Sequence, residues 1–116
     1  MQNGMGHAMK AYAASSAHRS QRDQEADAFR RATAALRHAR NASPVAKVRA
    51  LADNTRLWMT VVDLVRDPQN ALPLPLRASI ASVGLAVQRE MQRDAPDFEF
   101  LIEVNEDITA GLSGQG

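Results

Sequence analysis

A small all-α bundle of about four helices is the fold this sequence predicts, and three observations predict it. Alanine fills 21 of the 116 positions, whereas only Tyr12, Phe29, Trp58, Phe98 and Phe100 are aromatic. Sheets prefer aromatic and β-branched residues, so this balance favours helices. All five prolines (Pro44, Pro68, Pro73, Pro75 and Pro96) fall where the hydrophobic pattern breaks, as expected of a residue that lacks a backbone donor and clashes inside a helix. Between them, apolar residues recur at spacings of three and four. The length fits one domain, residues 1–116, able to bury roughly two-thirds of its unfolded surface in a single core.

Taken in order, residues 1–20 mix Gly, Ala, His, Ser and Lys10 without a clear stripe. They read as a loose segment, flexible or weakly helical. The first firm helix spans about 21–41, with Phe29, Ala32, Leu36 and Ala39 as its apolar stripe. Asp23, Glu25 and Asp27 sit near its start, where the helix dipole favours negative charge. Ser43-Pro44 opens the second helix, about 43–66: the hydroxyl can accept from a free N–H, and proline at the first helical position has none to waste. Val48, Leu51, Ala52, Thr55, Trp58, Met59, Val62 and Val65 form its stripe, and Leu57, Val61 and Leu64 widen it. Only Asp53, Arg56, Thr60, Asp63 and Asp67 leave a thin polar line. A helix apolar around so much of its girth is expected to be central, with neighbours on several sides.

Asp67-Pro68-Gln69-Asn70 has the chemistry of a turn. A third helix follows over about 73–93, with Leu76, Ile80, Val83, Gly84, Val87 and Met91 facing inward. Gly84 costs about 1 kcal/mol there relative to Ala, which points to a neighbouring helix passing close. The last helix, about 97–111, takes Asp97 as its cap and Phe98, Leu101, Ile102, Asn105, Ile108 and Leu112 as its stripe. Phe98 to Val104 also alternates as a strand would, but a lone strand would have no partner in this chain.

Composition narrows function as well. No cysteine is present, which removes disulfides, thiolate metal sites and thiol catalysis. No apolar run approaches the ~20 residues of a membrane helix, and no signal-peptide core follows Met1; the expected location is cytoplasmic. His7, His18 and His38 are isolated and match no zinc or metalloprotease spacing. Glu99, Glu103, Glu106 and Asp107 read as a solvated acidic face, not as an acid–base pair. No enzyme, cofactor, metal or small-molecule substrate is expected. Net charge is +1, yet residues 1–50 carry +6 and residues 51–116 carry −5. The simplest reading is that the two halves pack together and partly neutralise each other. Six arginines between 19 and 40 raise RNA as an alternative ligand, though no aromatic stacking platform accompanies them. Trp58 reads first as a core residue and second as a partner anchor, since tryptophan is enriched at binding hot spots.

Several of these residues also form an ordered set. Asn54-x-x-Leu57-Trp58, Asp67, the run Asn70-x-Leu72-Pro73 leading into Leu76-Arg77-Ala78-x-Ile80, Leu101-Ile102-x-Val104-Asn105, Gly111-Leu112 and the earlier Ala11-Tyr12-Ala13 resemble the FlaF family in order and spacing. The resemblance spans nearly the whole chain. Pro75 departs from the family pattern; it disfavours helical geometry at Leu74 and so shifts the expected helix start. The Pro-free stretch 14–43 departs too, where the family leads one to expect a looser linker.

The resemblance implies a protein of flagellum biogenesis that promotes flagellin synthesis and export as a flagellin-specific secretion chaperone. It also implies a relation to FlbT, which restrains flagellin mRNA translation. An apolar groove could shield an amphipathic flagellin segment. The expected groove residues are Asn54, Leu57, Trp58 and Val61 on the second helix and Leu76, Ile80, Val83 and Val87 on the third. The alternative is a post-transcriptional regulator that acts on flagellin mRNA directly or through FlbT.

Overall fold

The computed structural model describes residues 2–114, with side chains from Gln21 onward. Four helices follow one another: α1 (Gln2–Ala39), α2 (Pro44–Arg66), α3 (Leu74–Met91) and α4 (Phe98–Leu112). No strand occurs among the described residues, so the Phe98–Val104 alternation resolves as helix. Of the two readings for residues 1–20, the backbone is helical: α1 begins at Gln2, well before the boundary expected near residue 21. At 1.5 Å per residue α1 is about 57 Å long, which sets the long axis of a molecule measuring 63 × 24 × 22 Å.

Local chemistry explains most boundaries. Past Ala39 the chain turns, with Ala42 N–H donating to the Ala39 carbonyl at 2.9 Å. Ser43 Oγ then accepts from Ala46 N–H at 3.2 Å, and Pro44 occupies the first helical position. Asp97 Oδ1 likewise accepts from Phe100 N–H at 3.2 Å to open α4. Pro75 does not displace the start of α3. The helix begins at Leu74, and Pro75 falls in its first turn, where a backbone donor would be unused anyway.

The link between α2 and α3 is a clasp. Asp67 Oδ1 accepts from Gln69 N–H (2.9 Å) and the Asp67 carbonyl accepts from Asn70 N–H (3.0 Å). Asn70 Nδ2 donates back to the Leu64 carbonyl at 3.0 Å, while its Oδ1 accepts from Leu72 N–H at 2.9 Å. From α3, Arg77 donates to the Val65 and Asp67 carbonyls at 2.9 and 3.0 Å. Two of the last carbonyls of α2, those of Leu64 and Val65, thereby accept from side chains beyond the helix.

α1 packs along α4 and α2, α2 packs along α3, and α3 only brushes α4. The core lies where these pairings meet. Trp58, Phe29, Leu36, Ile80, Leu101 and Val87 are fully buried. The Phe29 and Trp58 rings meet edge-to-face with centroids 5.4 Å apart and planes at 84°, a favoured aromatic geometry. Gly84 is buried opposite them. An added Cβ would stand 2.5 Å from Val62 Cγ2 and 3.5 Å from Trp58 Cε3, so the close helix approach inferred from the sequence is present.

Candidate partner-binding groove

The eight residues expected to line a groove separate into two groups. Asn54, Trp58, Val61, Ile80 and Val87 are buried in the core, whereas Leu57, Leu76 and Val83 are half-buried against it. The physical reason is that α1, α3 and α4 close over Trp58 of α2. Its indole N–H donates to Asn105 Oδ1 on α4 at 2.9 Å, and Asn105 Nδ2 donates to Asn54 Oδ1 on α2 at 2.8 Å. Asn54 Nδ2 lies 3.3 Å from the Met91 sulfur on α3. This buried chain ties three helices together, and no buried side-chain polar atom among the described residues lacks a partner. Satisfied networks of this kind fix one packing arrangement, because any other leaves polar groups stranded. Sequence patterning counted Asn105 merely as part of an apolar stripe. The available signal was an asparagine at a core position on each of two helices, together with a tryptophan N–H that must find an acceptor.

Surface apolar residues lie elsewhere. Val45, Val48, Met59, Leu74 and Leu85 are 46–69% exposed, all on α2 and α3. Val48 and Met59 thus depart from the expected inward stripe of α2. The inward side is centred instead on Ala50, Asn54, Trp58, Val61 and Val65.

One surface of α2 does open onto a groove. Between α1 and α2 runs a depression of about 450 Å³, floored by Ala28, Ala32, Ala35 and Leu57 and edged by Arg31, Asp53, Arg56 and Thr60. Its origin is local. Along the floor α1 offers only the methyl groups of Ala28, Ala32 and Ala35, because its large apolar residues, Phe29 and Leu36, are buried in the core. Small side chains facing a leucine leave a trough, and all the residues that line it belong to α1 or α2. On its rim Arg56 pairs with Asp53 within α2. Arg31 is exposed and forms no ion pair among the described residues.

The opposite side of α1 is charged and occupied. Arg37 pairs with Glu106 at 3.0 Å and Arg40 with Glu99 at 2.6 Å, both across to α4. Arg30 pairs with Asp27 at 2.7 Å and donates to Ser113 Oγ at 2.9 Å. The basic and acidic halves of the chain therefore neutralise one another at this seam. Three of the six arginines that suggested RNA are held by carboxylates. Arg19, His7, His18 and Tyr12 lie outside the described side chains. His38, Glu103 and Asp107 are exposed. One carboxyl is perturbed: burial pushes Glu25 above its usual range, partly offset by a hydrogen bond from Gln21 and the charge of Arg22. Glu25 sits beside the α2–α3 clasp, near Asn70 and Leu72.

These features describe a small helical protein with a polar-locked core, an ion-paired seam and an apolar trough between α1 and α2. No helix among the described residues is long and apolar enough to cross a membrane. A family model described as flagellar protein FlaF matches residues 8–112, and the chain belongs to that family. No curated protein and no solved structure matches it significantly.

Proposed function

We propose that this FlaF-family chain promotes flagellin synthesis and export by binding flagellin as a non-catalytic cytoplasmic chaperone. The observation that carries the reading is the bare α1–α2 groove. An apolar trough edged by polar side chains suits an amphipathic helix laid along it, and a segment travelling unfolded toward export needs such a shield. Leu57 is the one residue of the expected binding set that floors this groove. Pairing of Arg30, Arg37 and Arg40 with carboxylates weighs against direct mRNA contact, since a phosphate contact by any of these three would first have to displace an internal partner.

Calorimetric titration with purified flagellin, intact and lacking its C-terminal segment, tests this. Saturable heat with intact flagellin that is lost on truncation is the expected result. Absence of heat and of co-elution with either form would overturn direct flagellin binding and shift the role to FlbT or to mRNA. A salt-titrated RNA shift assay would then separate those two.

A further inference from the structure

The groove carries more information than its apolarity. Ala28, Ala32 and Ala35 recur at four and three along α1, so their methyls form one smooth strip. From Ala28 to Ala35 the strip rises about 10 Å, close to two helical turns. Opposite it, Asp53 to Thr60 on α2 covers the same length. A trough with small residues on one wall lets a third backbone approach closely, and its length matches two turns of an incoming helix. The rim charges differ between the walls. On the α2 wall Arg56 is neutralised by Asp53, whereas on the α1 wall Arg31 forms no ion pair among the described residues. The groove therefore presents one uncompensated positive charge, on a known side of its axis.

We infer that the α1–α2 groove takes a single amphipathic helix whose apolar stripe rests on Ala28, Ala32, Ala35 and Leu57 and whose flank carries a carboxylate facing Arg31. The Arg31 guanidinium, exposed in the free protein, gains a charge-assisted hydrogen bond as the helix seats. A basic flank there meets like charge and is rejected. This deepens the chaperone reading by stating what chemistry the bound segment must display, and the two can fail separately.

The test uses the full chain and two designed peptides of about 18 residues, long enough to be partly helical. Both carry the same Ala/Leu stripe; one has glutamates on its flank and the other has lysines. Fluorescence anisotropy of labelled peptide reads binding to the wild type, Arg31→Glu, Ala28→Phe and, as a control on the outer face of α2, Val48→Ser. Thermal melting checks that each variant is folded. The glutamate peptide is expected to bind the wild type at least about tenfold tighter than the lysine peptide, with the preference reversed by Arg31→Glu. Ala28→Phe should abolish binding of both by filling the trough, and Val48→Ser should change neither.

No peptide binding, equal affinities unaffected by Arg31→Glu, or loss caused by Val48→Ser instead of Ala28→Phe would overturn the inference. So would a dimer, seen by sedimentation, that Ala28→Phe dissociates, because the occupant would then be a second copy. Intact flagellin is titrated in parallel. If it fails to bind while the peptide pattern holds, the chaperone reading falls and the groove stands. If it binds with affinity unchanged by Ala28→Phe and Arg31→Glu, the groove is not its site.

Discussion

The two flanks of α2 both present apolar side chains to α1 and meet opposite fates. On one flank Trp58 is sealed against Phe29, Gly84 and Asn105, and Asn54 completes a hydrogen-bonded chain to α4. On the other, Leu57 lies half-buried over alanines, with open space above. The sealed flank combines large side chains with polar groups that accept only one register. The open flank combines a leucine with methyls and makes no directional demand. Close packing and satisfied polar groups therefore hold this fold in one arrangement, and the surface left over for a partner is the one where neither operates.

Four substitutions would break or sharpen that contrast. Trp58→Ala strikes the sealed flank hardest. It should cost about 3–5 kcal/mol, through lost burial and an unfilled cavity, and should lower the urea midpoint or leave the chain partly unfolded. Asn105→Ala removes the acceptor for the indole N–H and the donor to Asn54 together. Stranding two buried groups should cost about 2–3 kcal/mol in the same assay. Replacing Asn54 as well should cost less than the sum of the single changes, because the two residues share one network.

Gly84→Ala opposes two terms. Helix propensity gains about 1 kcal/mol, but the new methyl collides with Val62 Cγ2 at 2.5 Å, and overpacking of this kind costs about 1–3 kcal/mol. A net loss of about 1 kcal/mol is expected, relieved when Val62→Ala is added; a stabilised single variant would refute the close contact.

The smallest effect belongs to Glu25. Its pKa is raised from the usual 4.5 chiefly by burial, so the folded state favours the protonated form. The stability tied to that proton is fully present below pH 4.5 and is lost as pH rises through the raised folded value. Glu25→Gln should therefore melt slightly higher than the wild type at pH 7, and the gap should close toward pH 4. A gap that widened on acidification would contradict the burial of this carboxyl.

Much of this architecture was legible locally. Ser43-Pro44 and Asp97 start helices because their side chains meet free N–H groups within three residues. Asp67 to Asn70 turns because Asp67 bonds the backbone two residues on. Gly84 announced a close contact because nothing else accounts for a glycine in mid-helix. The residues that resemble the FlaF family acquire a physical reason as well: Asn54, Trp58 and Asn105 form the core network, while Asn70 and Arg77 close the end of α2.

Other features were not legible. Val48 and Met59 fit an inward stripe by spacing but lie outside, because α2 turns its Asn54–Trp58–Val61 side to the core. The groove went unread because Ala28, Ala32 and Ala35 look like ordinary helix formers, and only their position opposite Leu57 makes a trough.

The sequence by itself determined α2, α3 and α4, the Ser43 and Asp97 caps, the Asp67–Asn70 turn and the family, since each depends on groups a few residues apart or on an ordered motif, whereas the extension of α1 back to Gln2 and the Arg77 bonds of the clasp did not show in it. Tertiary structure decided which apolar residues are core and which remain surface, and which arginines are neutralised. Hydrophobic burial has no direction of its own, so a leucine in a stripe reads the same whether or not a helix covers it. An arginine likewise reads the same whether it pairs with Glu99 or Glu106 or, like Arg31, forms no ion pair among the described residues.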